Sequence, residues 1–242
     1  MKVGIVIPYY NKWNLTHARL YELYKLVSGD YFVVLVNDGS TDSNILPGIE
    51  WWQQYQTKFD IFSEHNSENE GFGKSMNMGA SVAEMHGAEA IVLLSNDVSV
   101  SIDFVPKVLS ILRQHPKALI GAEIIKHRAG WNEFEYNGKS FHVPYANGWF
   151  LSCTMDTWKL LGGFDSLYGK FDFEDIDLSV QAIVQDCPLI EMDTKGLHHS
   201  FGTTTNTYFP DRLQHTLQNR DKFIEKWKPM FPVIMQKLGI YE

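Results

Sequence analysis

The sequence contains no apolar run long enough to cross a membrane, since a membrane-spanning helix needs about 20 consecutive apolar residues. The N-terminal apolar run, Val3 to Pro8, is too short for a secretory signal and ends at a proline. These two absences predict a cytoplasmic protein, which could still act at the periphery of a membrane. Cysteine is scarce as well, because Cys153 and Cys187 are the only two and neither has a metal-binding spacing. We therefore expect two reduced thiols and no disulfide.

Basic residues are outnumbered by acidic ones, with 21 Lys and Arg against 29 Asp and Glu and a formal net charge of -8. This balance argues against a general nucleic-acid-binding protein, which usually presents a basic face. An acidic protein needs local positive charge to bind an anionic nucleotide, and a bound divalent cation commonly supplies it. The 242 residues, of which 44% are hydrophobic, suit one large globular domain.

The first half of the chain alternates short apolar runs with amphipathic stretches. Strands are predicted at residues 3–8, 31–36, 59–63, 90–94 and 119–125, and helices at residues 16–28, 49–55, 73–86 and 104–115. The alternation predicts an α/β fold, in which a Rossmann-like, mainly parallel central sheet carries helices on both faces. From residue 126 the chain is dense in aromatic residues and glycine, which favours an α+β lobe. Residues 210–242 are predicted to form a helical tail that is broken at Pro229 and Pro232.

Ligands of such sheets bind beyond the carboxyl ends of the strands, which directs attention to residues 8–11, 37–42 and 95–97. In the second cluster, Asp38 could accept a hydrogen bond from the imide N–H of uracil or thymine, or the cluster could cap the next helix. In the third, Asp97 could hold a hard divalent cation whose shell is completed by a diphosphate, or it could cap a turn.

Three further segments carry polar groups of interest. Residues 69–74 (NEGFGK) open a helix, where glycine and free N–H groups suit a phosphate, but Gly-x-Gly alone is a weak signal. Residues 173–177 (FEDID) crowd three carboxylates, which should raise at least one pKa and suit a general base, although they could simply form an acidic helix N-terminus. His198 and His199 are adjacent on an extended segment, so their side chains point to opposite sides and at most one can face a site. That histidine could bind a metal or a diphosphate. Either could also be an ordinary packed or surface histidine.

Taken together and in order, these segments resemble the family 2 glycosyltransferases, which have the GT-A fold. The matching segments span about residues 3–205 and read IVIPYYN, VLVNDGSTD, NEGFGKSMNMG, AIVLLSND, NGWFLSCTMDTWKLLGGFD, FEDIDLS and GLHHSFGTT. The resemblance implies a GT-A domain over residues 1–209, with a nucleotide-binding half (1–125) and an acceptor-side half (126–209). The helical tail (210–242) would follow it.

The resemblance also implies a role for each matching residue. Asp175 would be the catalytic base that deprotonates the acceptor. A divalent cation, Mn2+ or Mg2+, would be bound by Asp97 and by His198, or else by His199. The nucleotide would be bound by Pro8, Tyr10, Asn11, Asp38, Asn69, Lys74, Asn77 and Asn96. The donor sugar and the acceptor would be bordered by Gly148, Trp149, Asp165, Glu174 and Asp177.

The implied function is metal-assisted transfer of a sugar, with inversion, from a nucleotide-diphosphate sugar to a hydroxyl of a glycan or other acceptor, with UDP favoured over dTDP. One alternative is a nucleotidyltransferase, which usually has a basic Gly-rich loop where this chain has PYYNKWN. Another is a non-catalytic nucleotide-sugar-binding module. The tail combines basic residues with Phe223, Trp227 and Phe231, which favours packing against the acceptor-side half or a partner subunit of a homo-oligomer, with weak membrane-surface contact as the alternative.

Overall fold

The computed structural model describes residues 1–200 and 211–240. Numbered in chain order, the strands are β1 (Val3–Tyr9), β2 (Tyr31–Asp38), β3 (Ile61–Asn66), β4 (Ala90–Leu94), β5 (Val98–Val100), β6 (Leu119–Gly121), β7 (Ile124–Ile125), β8 (Glu133–Tyr136), β9 (Lys139–His142), β10 (Tyr145–Ala146), β11 (Phe150–Thr154), β12 (Leu189–Glu191) and β13 (Leu197–His199). The helices are α1 (Trp13–Leu26), α2 (Ile45–Tyr55), α3 (Phe72–Met85), α4 (Val105–Gln114), α5 (Met155–Leu161), α6 (Glu174–Val184), α7 (Arg212–Trp227) and α8 (Phe231–Lys237). The end of the GLHHSFGTT segment (201–204) and tail residues 210, 241 and 242 lie outside the described residues.

Seven strands form the central sheet in the order β12-β6-β11-β4-β1-β2-β3. Strands β1 to β4 run parallel, β6 runs parallel to β12, and β11 is antiparallel to both of its neighbours. The apolar strands VGIVIPY and AIVLL are buried at every position, as expected for strands covered on both faces. The sheet confirms the prediction of a mainly parallel α/β fold, and it brings the carboxyl ends of β1, β2 and β4 to one edge.

Helices cover both faces of this sheet. On one face α1, α2 and α4 pack into an apolar cluster, and on the other α3, α5 and α6 pack into a second one. Helix α3 lies especially close to the sheet at Gly79, where an added Cβ would be 2.2 Å from Val6 Cγ1. A glycine is therefore needed at this crossing. Cys153 and Cys187 are both buried and form no disulfide, as expected.

A third apolar cluster joins the β8–β9 hairpin and α6 to the C-terminal helices. Phe134 of β8 stacks on Phe223 of α7 with 4.8 Å between ring centroids, and Phe231 packs edge-on against Phe141. Phe223, Trp227 and Phe231 are each at most 5% exposed. These three aromatic residues of the tail are therefore inside the fold and pack against the acceptor-side half. Within the described ranges, no helix combines the length and apolarity needed to cross a bilayer.

The prediction of one strand over residues 119–125 is wrong, because the structure divides it. Strand β6 ends at Gly121, and β7 pairs antiparallel with β10 in a separate two-stranded sheet. An added Cβ on Gly121 would lie 2.9 Å from Ala146 Cβ, so the chain passes β10 too closely for a side chain. The break coincides with Gly121 and the exposed Glu123, which interrupt the apolar run in the sequence.

Candidate active site

The carboxyl edge of the sheet opens into two adjoining cavities, a large one of about 760 Å³ and a small one of about 110 Å³. Their shared wall comes from the end of β4, the start of α3 and the loop before α6. It consists of Phe72, Ser95, Asp97, Lys170 and Phe171. The two cavities therefore form one continuous cleft above the strands, where open α/β sheets bind their ligands.

The small cavity receives five of the predicted nucleotide residues, which are Pro8, Tyr10, Asp38, Asn69 and Asn96. Asp38 is 5% exposed, and its carboxylate accepts hydrogen bonds from the N–H groups of Glu70 at 2.8 Å and Gly71 at 3.0 Å. These bonds hold the loop before α3 across the end of β2. Gly71 has a φ of 97°, and a Cβ there would lie 2.5 Å from Lys170 Cα, so only glycine fits.

Three predicted nucleotide residues do not line either cavity and hold neighbouring loops instead. The Asn11 side chain accepts hydrogen bonds from N–H groups of the turn after β2, at 2.9 and 3.2 Å. Lys74 forms an ion pair with Glu70 at 2.6 Å, one turn away along α3. Asn77 exchanges hydrogen bonds of 2.7 and 2.9 Å with the backbone of Phe164. The structure thus places these polar groups in contacts within the fold, and a role of the three residues in nucleotide binding stays a prediction.

Asp97 lies where the two cavities meet, and a histidine approaches it. Ser95 Oγ donates a hydrogen bond of 2.6 Å to Asp97 Oδ1, and His199 Nε2 lies 3.3 Å from the same oxygen. The ring of His199 stacks on Trp149, with 5.4 Å between centroids and 16° between planes. Among the described residues, no group of three or more His, Cys, Asp and Glu side chains is arranged to hold a metal ion.

The structure places His199, rather than His198, beside Asp97. Strand β13 pairs with β5 so that His199 is opposite Val98, the residue after Asp97. Successive side chains on a strand point to opposite sides. His199 therefore faces the cleft, whereas His198 is exposed and does not line either cavity.

The first turn of α6 supplies the acidic end of the large cavity. Asp175 Oδ2 accepts a hydrogen bond of 3.0 Å from Gly148 N–H, and Oδ1 accepts one of 2.8 Å from Ile176 N–H. Burial raises the pKa of Asp175 to about 6. Burial, with the nearby charge of Asp175, also holds the pKa of Glu174 well above its usual value. Gly148, Trp149 and Glu174 line this cavity, as does Asp175.

The two other carboxylates expected beside the sugar lie elsewhere. Asp177 is 1% exposed and accepts hydrogen bonds from Lys226 Nζ, Trp227 Nε1 and Tyr168 Oη, at 2.6 to 2.9 Å. Asp165 pairs with Lys226 at 2.7 Å. Neither lines a cavity, because each joins its own segment to α7. The structure does not bring them together with Asp175 in the large cavity, and their expected place beside the donor sugar or acceptor stays a prediction.

The sequence matches the profile of Glycosyl transferase family 2 over residues 4–171. The chain belongs to glycosyltransferase family 2. No curated protein matches its sequence. The matched segment includes the small cavity and Asp97, but it ends before Asp175 and His199.

Several solved glycosyltransferase structures are similar to this family 2 protein. One is GalNAc-T7 with UDP, GalNAc and Mn2+, which has a TM-score of 0.68 at 12% identity over 82% of this chain and 44% of that chain. Another is the mannosyltransferase PcManGT from Pyrobaculum calidifontis with GDP-Man and Mn2+. Its TM-score is 0.67 at 16% identity, and the match covers 93% of this chain and 64% of that chain. A third is S. aureus TarS 1-349 with UDP-GlcNAc. Its TM-score is 0.60 at 16% identity, and the match covers 81% of this chain and 57% of that chain. These similarities show the GT-A fold, and the chain spans only about half to two thirds of the length of each protein.

The large cavity of this family 2 protein is also lined by residues to which the sequence analysis assigned no role. They include Lys126, His127, Arg128, Trp131, Tyr145 and Arg212. Arg212 comes from α7 and makes a bidentate ion pair with Asp172, at 2.5 and 3.0 Å. The run of three basic residues at 126–128 could have been recognised in the sequence, whereas no local signal connects α7 to the cavity.

Proposed function

We propose that this protein transfers a sugar from a nucleoside-diphosphate sugar to an acceptor hydroxyl with inversion, and that a divalent cation assists the reaction. The single observation that carries the proposal is the convergence of Asp38, Asp97 and Asp175 on two adjoining cavities. These side chains come from three distant parts of the chain. Asp38 suits a hydrogen bond to the nucleobase, Asp97 suits binding of a cation together with the diphosphate, and Asp175 suits removal of the acceptor proton.

The small cavity is the proposed nucleotide site. Asp38 lies beside Pro8 and Tyr10, and a carboxylate there can accept the imide N–H of uracil. The choice of UDP is supported by the similar structures of GalNAc-T7 with UDP and TarS with UDP-GlcNAc, although PcManGT was solved with GDP-Man. We therefore favour UDP over dTDP as the nucleotide.

The groups around Asp97 fit a divalent cation. Carboxylate oxygen and neutral imidazole nitrogen bind such ions at about 2.0–2.2 Å, and Asp97 Oδ1 and His199 Nε2 lie 3.3 Å apart at the junction of the cavities. The diphosphate of the donor would complete the shell, as is common when a protein provides only one or two carboxylates. GalNAc-T7 and PcManGT were both solved with Mn2+. When bound, the cation would supply Lewis-acid stabilisation of the leaving diphosphate.

Asp175 is the proposed base. Its carboxylate is oriented by the N–H groups of Gly148 and Ile176, and its raised pKa of about 6 lies close to neutral pH. It would take the proton of the acceptor hydroxyl as that oxygen attacks the anomeric carbon. The bond from that carbon to the diphosphate oxygen breaks on the opposite side. One displacement of this kind inverts the anomeric configuration.

The test is to incubate the protein with Mn2+ and a panel of UDP-, dTDP- and GDP-sugars, with and without acceptors, and to follow the released nucleotide. Asp175→Asn should lower turnover about 10²- to 10⁴-fold and leave donor affinity unchanged. The matched control is Asp156→Asn, because Asp156 also lies in the first turn of a helix but lines neither cavity. Unaltered turnover in Asp175→Asn would exclude Asp175 as the base. A retained anomeric configuration in the product would exclude single displacement.

A further inference from the structure

One wall of the large cavity is basic in an otherwise acidic protein. Lys126, His127 and Arg128 follow β7 directly, are exposed, and all line this cavity. None of them lines the small cavity, where the nucleotide is proposed to bind. Their positive charge is therefore placed on the side of the cleft away from the nucleotide.

A buried asparagine fixes the course of this basic segment. Asn132 is fully buried, and its Nδ2 donates hydrogen bonds to the carbonyl groups of Lys126 at 3.0 Å and Val143 at 2.8 Å. Its Oδ1 accepts a hydrogen bond of 2.7 Å from the N–H of Arg128. The backbone of residues 126–128 is thus fixed by hydrogen bonds to a buried side chain, although the three side chains are exposed.

Arg128 is further oriented by stacking. Its guanidinium carbon lies 3.9 Å from the ring centroid of Trp131, and Trp131 is parallel to Phe173 within 5° at 6.2 Å. Arg128 Nη1 lies 3.5 Å from Tyr145 Oη. A guanidinium that is stacked in this way loses little freedom when it binds an oxyanion, and it offers two parallel N–H donors.

The charge of Arg128 has no ion-pair partner in the parts of the chain that the structure describes. Arg212, which lines the same cavity, is instead neutralised by Asp172. The nearby carboxylate of Glu123 accepts a hydrogen bond from Asn147 at 3.0 Å. The geometry therefore leaves a preorganised cation facing the part of the cleft where an acceptor would lie.

We propose that the acceptor carries an anionic group, a phosphate or a carboxylate, which binds Arg128, with Lys126 and His127 around it. This inference rests on the proposed function, since it names the class of acceptor for the same site. The anion pairs with the basic wall, and the acceptor hydroxyl is directed across the cavity to Asp175. A neutral acceptor of the same shape would lack the charge-assisted hydrogen bonds.

The test is a calorimetric titration of the protein with three probes that differ in one group: methyl glucoside, methyl glucuronide and methyl glucoside 6-phosphate. It is done with and without saturating UDP and Mn2+. At least one charged probe should bind about tenfold more tightly than the neutral one, and the two charged arms distinguish a carboxylate from a phosphate. Arg128→Gln should abolish this advantage and leave UDP affinity unchanged. Lys139→Gln should retain it, because Lys139 is an exposed lysine of the same lobe that lines neither cavity.

Three results would overturn the proposal. They are equal affinity for charged and neutral probes, no binding of either charged probe at millimolar concentration, and an advantage that persists in Arg128→Gln. Loss of UDP affinity in Arg128→Gln would assign the arginine to the donor and also overturn it. If UDP does not bind to the wild type, the proposed function fails, and the titration without UDP still tests the anion site.

Discussion

Replacing Asp177 by asparagine should destabilise the fold without removing a group that touches substrate. The Asp177 carboxylate on α6 is buried and is the common acceptor for donors on α7 and on the turn before α6. The Lys226 ammonium makes two contacts with it, at 2.8 and 2.9 Å, and Trp227 Nε1 makes one at 2.6 Å. These contacts join α6, the helix that carries Asp175, to α7.

The size of the effect follows from what asparagine can replace. Breaking a buried ion pair costs about 3–5 kcal/mol, and a hydrogen bond to a charged group contributes about 1.5–3 kcal/mol. Asparagine keeps one acceptor oxygen, and Lys226 keeps its second partner, Asp165, at 2.7 Å. We therefore expect the free energy of unfolding to fall by about 3 kcal/mol, near the lower end of that range.

Urea denaturation followed by tryptophan fluorescence measures this loss, and UDP titration of the folded variant should give the wild-type affinity. The matched control is Asp186→Asn, because Asp186 pairs with Lys237 but is 81% exposed. This control should change the free energy of unfolding by less than about 1 kcal/mol. A normal unfolding free energy together with a large loss of turnover in Asp177→Asn would refute the reasoning and return Asp177 to the active site.

Three further predictions concern the cleft. Below about pH 6, kcat/KM should fall about tenfold per pH unit, because Asp175 must be deprotonated to act as a base and burial raises its pKa to about 6; a flat profile through this range would contradict the role. His199→Ala should weaken Mn2+-dependent binding of UDP at least about tenfold in calorimetry, whereas His198→Ala should not, and equal effects would contradict the assignment. The buried Asn219 side chain on α7 donates hydrogen bonds to the carbonyl groups of Tyr168 and Asp172. Asn219→Ala removes this donor and should lower the free energy of unfolding, measured by urea denaturation, by about 1–3 kcal/mol. An unchanged midpoint would show that water replaces the side chain.

The sequence predicted which strand ends line the small cavity because their positions depend on local pattern. Strands β2 and β4 are short apolar runs that end in polar residues, so the alternation with helices places Asp38 and Asp97 at one edge of the sheet. This inference needs no knowledge of how distant segments pack.

The acceptor side could be predicted less well because it depends on the register between distant elements. Asp175 and Asp177 are two positions apart on α6, which places them on different faces of the helix. The sequence does not show which face packs against α7. The same holds for His198 and His199, since only the pairing of β13 with β5 decides which ring points to Asp97.

The turn that leads into α6 adds a second dependence on distant residues. Asp172 and Phe173 have φ values of 55° and 77°, which are rare for residues other than glycine and cost about 1–3 kcal/mol each. Such backbone persists only where neighbouring contacts determine it. Here Asn219 of α7 donates hydrogen bonds to the carbonyl groups of Tyr168 at 2.6 Å and Asp172 at 3.2 Å, and Arg212 pairs with the Asp172 carboxylate.

Helix α7 is therefore packed against the segment that leads to Asp175, the proposed base. The segment held by α7 lines both cavities through Lys170 and Phe171 and continues directly to Asp175. The match to the family profile ends at residue 171, before α6 and α7 begin, although α7 also contacts the end of the matched segment at Tyr168. The family-matched part of the chain thus forms the small cavity, whereas the position of the proposed base and one wall of the large cavity depend on contacts that α7 makes beyond it.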